Sequence, residues 1–206
     1  MKNLSKILAV VGLLALGYSA VMFVKAHLYQ ARETKRFTEK ARIETNSAGT
    51  DSPAGNSQPG KRTYPANGEV FGRLTIPRLG LSLIVLEGAG KSELIRGPGH
   101  IPGTSLPGDG GNVGIAGHRD TFFRPLRFIR AGDEINLISD AEEYRYHVVS
   151  TEVVEPGNVR VLYPTGQETL TLVACYPFNF LGAAPKRFII QATSVNSVST
   201  IQRRIQ

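Results

Sequence analysis

Three side chains able to do acyl chemistry stand in distinctive surroundings along this sequence. Cys175 is the sole cysteine and closes the run Thr-Leu-Val-Ala-Cys, residues 171–175, ahead of Tyr-Pro-Phe. His118 lies in Gly-His-Arg-Asp-Thr, residues 117–121, and Arg187 in Ala-Pro-Lys-Arg-Phe, residues 184–188. A thiolate attacks a carbonyl carbon, an imidazole carries a proton, and a guanidinium holds developing negative charge. Together they suit acyl transfer through a covalent intermediate. The competing readings are structural: a lone cysteine in an apolar strand is most often a small buried hydrophobe, and a strand arginine often sits in a surface ion pair.

Strand periodicity bears on that choice. Alternation puts Thr169, Thr171, Val173 and Cys175 on one face and Leu170, Leu172 and Ala174 on the other. The leucine face belongs to the core, which leaves the thiol on the opposite side. Pro177 cannot continue a sheet ladder, so Cys175 stands at a strand end. Arg187 alternates with Phe188 in the following strand pattern. If that strand returns antiparallel through residues 176–185, the guanidinium reaches the neighbourhood of the thiol.

The sequence has four histidines. His27 adjoins a long apolar run, His147 falls within a strand, and His100 is framed by Gly and Pro in Gly-Pro-Gly-His-Ile-Pro-Gly, a loop-fixing context. His118 ends a strand, as Cys175 does, and is the preferred acid/base. Asp120 is either its orienter or a solvated turn residue. With no second Cys and no close His, no metal is expected, nor any cofactor.

The elements that must position these residues are short. Strands are predicted at 70–76, 81–86, 112–118, 134–138, 144–154, 168–175 and 186–195, with Gly and Pro turns between them. A helix is expected at Ser92–Arg96, N-capped by Ser92, a loop over 97–111, and a helical turn or two around Phe122–Ile129. This pattern indicates a mainly β, closed structure, a barrel or a sandwich.

Ile7–Val24 carries no charged residue and is just long enough to cross a bilayer as a helix. The run is longer than a cleaved signal requires and lacks a good cleavage site, which favours an uncleaved anchor. Lysines and arginines flank it on both sides and leave its orientation open. Residues 26–43 read as a charged helical continuation, and residues 44–68 as a Ser/Gly/Pro-rich tether. The net charge of +7 is concentrated before the folded domain: residues 1–62 hold ten basic and four acidic side chains, against fourteen and thirteen in the rest. This argues for anionic lipid beside the span and against a nucleic-acid partner.

Taken together, Gly117-His118-Arg119, the pentapeptide Thr171–Cys175 and Arg187 resemble the signature of the sortases, cysteine transpeptidases of bacterial cell surfaces. The runs Gly72–Leu81, Arg96–His100 and Cys175–Phe178 are most similar to class D. The resemblance spans residues 68–195. It implies an eight-stranded β-barrel behind an N-terminal anchor (residues 1–25) and a juxtamembrane segment (26–67), with a short tail (196–206). It also implies that the domain lies outside the cell membrane.

By the same resemblance, Cys175 attacks a Leu-Pro-X-Thr-Gly-like (LPXTG-like) C-terminal sorting signal and forms a thioester, a thiol-hydrolase-like half-reaction. An amine on a cell-wall precursor or a pilin lysine then resolves it. His118 protonates the leaving amine and deprotonates the incoming one, while Arg187 positions the substrate and supports the oxyanion. Ala174 stands where the family usually has Thr, which draws attention to Thr171 as a supporting residue. A papain-like peptidase places Cys before His, the reverse of the order here. An L,D-transpeptidase has a Ser-His-Gly-Cys context that Cys175 lacks, and a non-catalytic membrane-tethered β-domain is the remaining alternative.

Overall fold

The computed structural model describes residues 2–47, 64–140, 142–180 and 182–195. The apolar run and the charged segment after it form one continuous helix, α1 (Lys2–Ser47). Within Lys6–Glu39 it holds an 18-residue window of mean hydropathy 2.4, enough by length and composition to cross a membrane. Of the expected tether, residues 44–47 continue this helix and 48–63 lie outside the described residues, as does the tail 196–206.

The strands follow the sequence pattern closely. They are β1 (Val70–Ile76), β2 (Leu81–Glu87), β3 (Gly99–His100), β4 (Asn112–Gly117), β5 (Glu134–Ser139), β6 (Glu142–Val154), β7 (Thr169–Tyr176) and β8 (Lys186–Ser194). They close into a barrel in the order β1-β2-β3-β4-β7-β8-β6-β5. Closure gives every strand a neighbour on both sides over at least part of its length, and of the two architectures open from sequence the barrel is the one formed. Inward-facing Leu74, Ile76, Val113, Ile115, Leu137, Leu170, Leu172 and Ile190 build the core, with Tyr146 and Phe123 as its largest fully buried aromatics.

Two local expectations differ. The short helix α2 (Lys91–Arg96) has Gly90 at its N-cap with no side-chain cap, because the Ser92 hydroxyl donates instead to Glu93 Oε1 at 2.7 Å. The segment 97–111, expected as loop, contains β3. Two residues show no alternation, so nothing in the sequence announces this strand. It bridges β2 in parallel and β4 antiparallel.

Because β3 is so short, most of the β2 edge lacks a strand partner there, and at Ile84 a side chain of α1 takes that place. The Gln30 side-chain amide donates to Ile84 O at 3.1 Å and to Arg96 O at 2.9 Å, and accepts from Ile84 N at 2.8 Å. It thereby bonds as a neighbouring peptide would. Gly97 permits this approach, since a Cβ there meets Gln30 Nε2 at 2.4 Å and Ile84 O at 2.9 Å. Arg96 over Tyr29 and Arg73 over Phe37, at 5.5 and 5.8 Å from the ring centroids, extend the seam along the helix.

On another side, the Pro77–Leu79 turn is bolted to the start of β5. Arg78 donates to both carboxylate oxygens of Asp133 and to Phe128 O, while Asp133 also accepts from Arg130 N at 2.8 Å. The Arg78 hydrogen bonds hold the Asp133 carboxyl below the ordinary value of 3.8, against the opposing effect of burial. A carboxyl depressed in the folded state stabilises the fold above its unfolded pKa and loses that contribution as pH falls through the folded one. The melting-temperature gap between wild type and Asp133→Asn should therefore be full near neutral pH and shrink below about pH 4. A gap that stays constant on acidification refutes this coupling.

Candidate active site

The barrel order sets three strands side by side, β4, β7 and β8, and their registers align the residues of interest. β4 and β7 run parallel, with Gly117 beside Ala174 as their last pair. His118 and Cys175 each lie one residue farther along the same direction. β7 and β8 run antiparallel with Cys175 directly opposite Arg187, a relation that places Cβ atoms about 4.5–5.5 Å apart. All three residues are half-buried. On the other face Leu170, Leu172 and Ala174 are wholly buried, as the alternation predicts.

The loop carrying His118 is fixed from beneath. A Cβ on Gly117 meets the Phe123 ring at 2.6–2.8 Å, so the absence of a side chain lets that core aromatic close under the histidine backbone. Phe123 N donates to His118 O at 3.0 Å. The next residue, Arg119, is buried and points its chemistry elsewhere. Its Nη2 donates to Phe180 O at 2.8 Å and Gly182 O at 2.9 Å, its guanidinium lies 5.7 Å from the Phe180 ring centroid, and its Nη1 is buried without a partner. Arg119 thus ties the His118 segment to the β7–β8 connection.

That connection begins with an aromatic cluster. Phe178 and Phe188 meet edge to face at 5.3 Å, and Tyr176 stacks on Phe188 at 6.2 Å, giving an apolar wall at the end of β7. Arg187 Nη1 donates to Lys186 O at 3.0 Å and Ala184 O at 3.3 Å. A guanidinium has five N–H donors in a planar fork, so those bonds leave donors for an incoming carbonyl or oxyanion.

The other sequence candidates fall as follows. Thr171 is fully buried four residues before Cys175, and its hydroxyl donates to Asn112 Oδ1 at 2.8 Å and lies 3.3 Å from Val161 O. It fastens the Val159–Leu162 turn to β4 and β7, which is a supporting position away from the thiol. Ala174 is buried in the core between Gly117 and Phe188 on the neighbouring strands. Its side chain is therefore on the face opposite Cys175. Asp120 is exposed, and among the described residues no hydrogen bond joins it to His118.

His100 is completely buried and stacked on Phe71 at 4.2 Å. Its Nδ1 lies 2.8 Å from Glu87 Oε2 and its Nε2 2.9 Å from Thr104 Oγ1. The arrangement has the look of a triad, but the Thr104 hydroxyl already donates to Ile101 O and accepts from Gly114 N. It holds the barrel together and has no route to a substrate. Among the described residues no group of three or more His, Cys, Asp or Glu could hold a metal ion. Sequence reasoning missed Arg119 and the His100–Glu87 pair. The adjacency of Arg119 to His118 was visible, whereas the carbonyls it bonds lie about 60 residues away.

A cavity of about 590 Å³ opens beside His118, between its loop, α1 and the barrel.

A family model described as a sortase domain matches residues 74–195. Sortase D of Bacillus subtilis is 29% identical over 185 residues, covering 89% of this chain and 93% of that protein. Sortase A of Bacillus anthracis is 30% identical over 111 residues, 52% of each chain. Among solved structures, a sortase D5 transpeptidase from Clostridium perfringens shares the fold with a TM-score of 0.60 at 24% identity, over 78% of this chain and 94% of that one. The SrtA sortase from Actinomyces oris aligns with a TM-score of 0.59 at 28% identity, over 68% and 87%.

Two expectations follow from the geometry. Replacing Arg119 with Leu frees the β7–β8 connection: amide hydrogen exchange across 176–185 should rise and turnover should drop roughly 10- to 100-fold, the scale of an ångström misplacement. Unchanged exchange there contradicts the tie. Ala174→Thr should lower the melting temperature, because a buried hydroxyl without a partner costs about 1–3 kcal/mol, and should not raise turnover. A tenfold gain in rate would show that the hydroxyl reaches the reacting centre.

Proposed function

The chain belongs to the sortase family and is class D-like, and from that premise we propose that it is a membrane-anchored transpeptidase whose nucleophile is Cys175. The Cys175 sulfur attacks a backbone carbonyl carbon within a Leu-Pro-X-Thr-Gly-like sorting signal. A carbon–sulfur bond forms and the carbon–nitrogen bond breaks, with His118 delivering a proton to the departing amine. In the second half an amine of a cell-wall precursor or a pilin gives up a proton to His118 and attacks the thioester, and the sulfur leaves. Arg187 orients the peptide and supports the oxyanion of each tetrahedral intermediate.

The observation that carries this reading is the shared level of three adjacent strands, with Gly117 beside Ala174 and Cys175 opposite Arg187. Nucleophile, acid/base and anion donor then come from three chain segments within reach of one carbonyl group. Residues 1–25 act as a single-pass anchor, 26–67 as the juxtamembrane segment and linker, 68–195 as the catalytic domain on the extracytoplasmic side, and 196–206 as a tail. The exposed apolar side chains of α1, among them Leu8, Leu13, Leu16 and Phe23, support the anchoring.

Incubating the full chain with a panel of such peptides and analysing it by mass spectrometry tests the reading. The expected result is an added mass equal to the part of the peptide before the cleaved bond, located on Cys175, released by an amine and absent from Cys175→Ala. Arg187→Lys should lower kcat/KM about 10²–10³-fold, as removal of an oxyanion donor does. No adduct across the panel, with Cys175 inert to a thiol probe, overturns it.

A further inference from the structure

Glu87 and His100 are 5% and 0% exposed, and the chemistry above uses neither. Their hydrogen-bond partners fix where the protons lie. The Thr104 hydroxyl hydrogen is committed to Ile101 O at 2.7 Å, and Gly114 N donates to the same hydroxyl oxygen at 3.0 Å. Toward His100 Nε2, 2.9 Å away, that oxygen can then only accept. Ser105 O, 3.2 Å from Nε2, can also only accept. Nε2 therefore carries a hydrogen. The other ring nitrogen, Nδ1, lies 2.8 Å from Glu87 Oε2. A neutral ring protonated at Nε2 offers only a lone pair there, and an ionised carboxylate offers only acceptors. The contact thus needs one more proton, either on an imidazolium facing a carboxylate or on a carboxyl facing a neutral ring. In both forms the pair has no net charge. Without that proton an uncompensated carboxylate would be buried against a lone pair, which is costly.

We propose that the proton shared by Glu87 and His100 is a pH-sensitive clamp, whose loss at alkaline pH loosens β3 and the strand leading to His118. β3 joins β2 through Leu86 and Glu87 and joins β4 through Ile115 and Ala116. The hydrogen bonds run on from Glu87 through His100 and Thr104 to Gly114 N in β4, four residues before His118. The other ionisable groups on the surrounding segments are engaged elsewhere or exposed. The Tyr64 hydroxyl donates to Thr104 O at 2.9 Å, Glu93 of α2 accepts from Ser92 and pairs with Arg96 at 3.5 Å, and Glu69 accepts from Ala66 N. Asp109, farther along the loop, is exposed. Unfolded, a histidine and a glutamate together hold almost no proton above about pH 7.5, whereas the folded pair holds one. The clamp's contribution is therefore full at lower pH and declines as pH rises. The decline reaches roughly tenfold in the folding equilibrium per pH unit, until the folded pair gives up its proton. None of this depends on the role given to Cys175.

Glu87→Gln is the deciding variant, because a Gln amide can donate to Nδ1 of a neutral ring and keep the contact with no proton to lose. Amide hydrogen exchange of the full chain in detergent micelles is followed by mass spectrometry on wild type and Glu87→Gln, from about pH 6 to about pH 9. The intrinsic pH dependence of exchange cancels in the ratio of the two rates. Across residues 99–105 and 112–118 the ratio of wild-type to variant rate should climb with pH, roughly tenfold per unit at its steepest, and across 142–154 it should stay flat. A ratio independent of pH overturns the proposal, as does a rise spread evenly over the barrel. Wild type alone gives a second readout if the variant folds poorly. With 15N-labelled histidine, NMR near about pH 7 should find a hydrogen on His100 Nε2 and one strongly deshielded proton between Nδ1 and Glu87. An Nε2 without hydrogen, accepting from the Thr104 hydroxyl instead, overturns the clamp.

Discussion

The site depends on a register. β7 is held on one side by β4 in parallel and on the other by β8 antiparallel, and a slip of one residue in either pairing turns every side chain to the opposite face. Leu170, Leu172 and Ala174 on β7, with Ile190 and Ala192 on β8 and Val113 and Ile115 on β4, are all buried in the one core. Sliding any of these strands turns that set away from the barrel core and swings the half-buried Cys175 and Arg187 toward it. The hydrophobic layer thus enforces the alignment of thiol and guanidinium at long range, with no direct bond between them.

Around that alignment the structure adds ties that act on loops. Gly117 lets Phe123 close beneath the His118 backbone, and Arg119 reaches across to the carbonyls of Phe180 and Gly182. Thr171 and Asn112 hold the Val159–Leu162 turn. Arg119, Thr171 and Asn112 each commit a polar side chain to a partner far away in sequence, which is how irregular segments near a site are kept in place when no ladder is available. The Gln30 amide on Ile84 makes a comparable tie between α1 and the barrel.

Much of this was legible in the sequence because it is periodic. The alternation of Leu170, Leu172 and Ala174 against Thr171, Val173 and Cys175 gave the face of the thiol, and the Arg187–Phe188 pattern gave its counterpart on the return strand. The uncharged run Ile7–Val24 likewise gave the helix. What escaped is aperiodic. A strand of two residues, Gly99–His100, has no alternation to detect. Gln30 is a single polar residue on a charged helix whose partner lies 54 residues later. Ser92 had two possible partners, the backbone of its helix and the carboxylate of Glu93, and took the second. Ala174, where the resemblance leads one to expect Thr, is a packing position, buried between Gly117 and Phe188.

The account's central claim is that Cys175, His118 and Arg187 act on one carbonyl group between β4, β7 and β8. A crystal structure of the full chain with a sorting-signal peptide captured covalently on Cys175 tests it most directly. The account predicts the captured carbonyl oxygen within hydrogen-bond distance of the Arg187 guanidinium and the leaving side of the peptide against His118. Arg187 still bonded only to Ala184 and Lys186, with His118 on the far side of the adduct from the leaving segment, would contradict it.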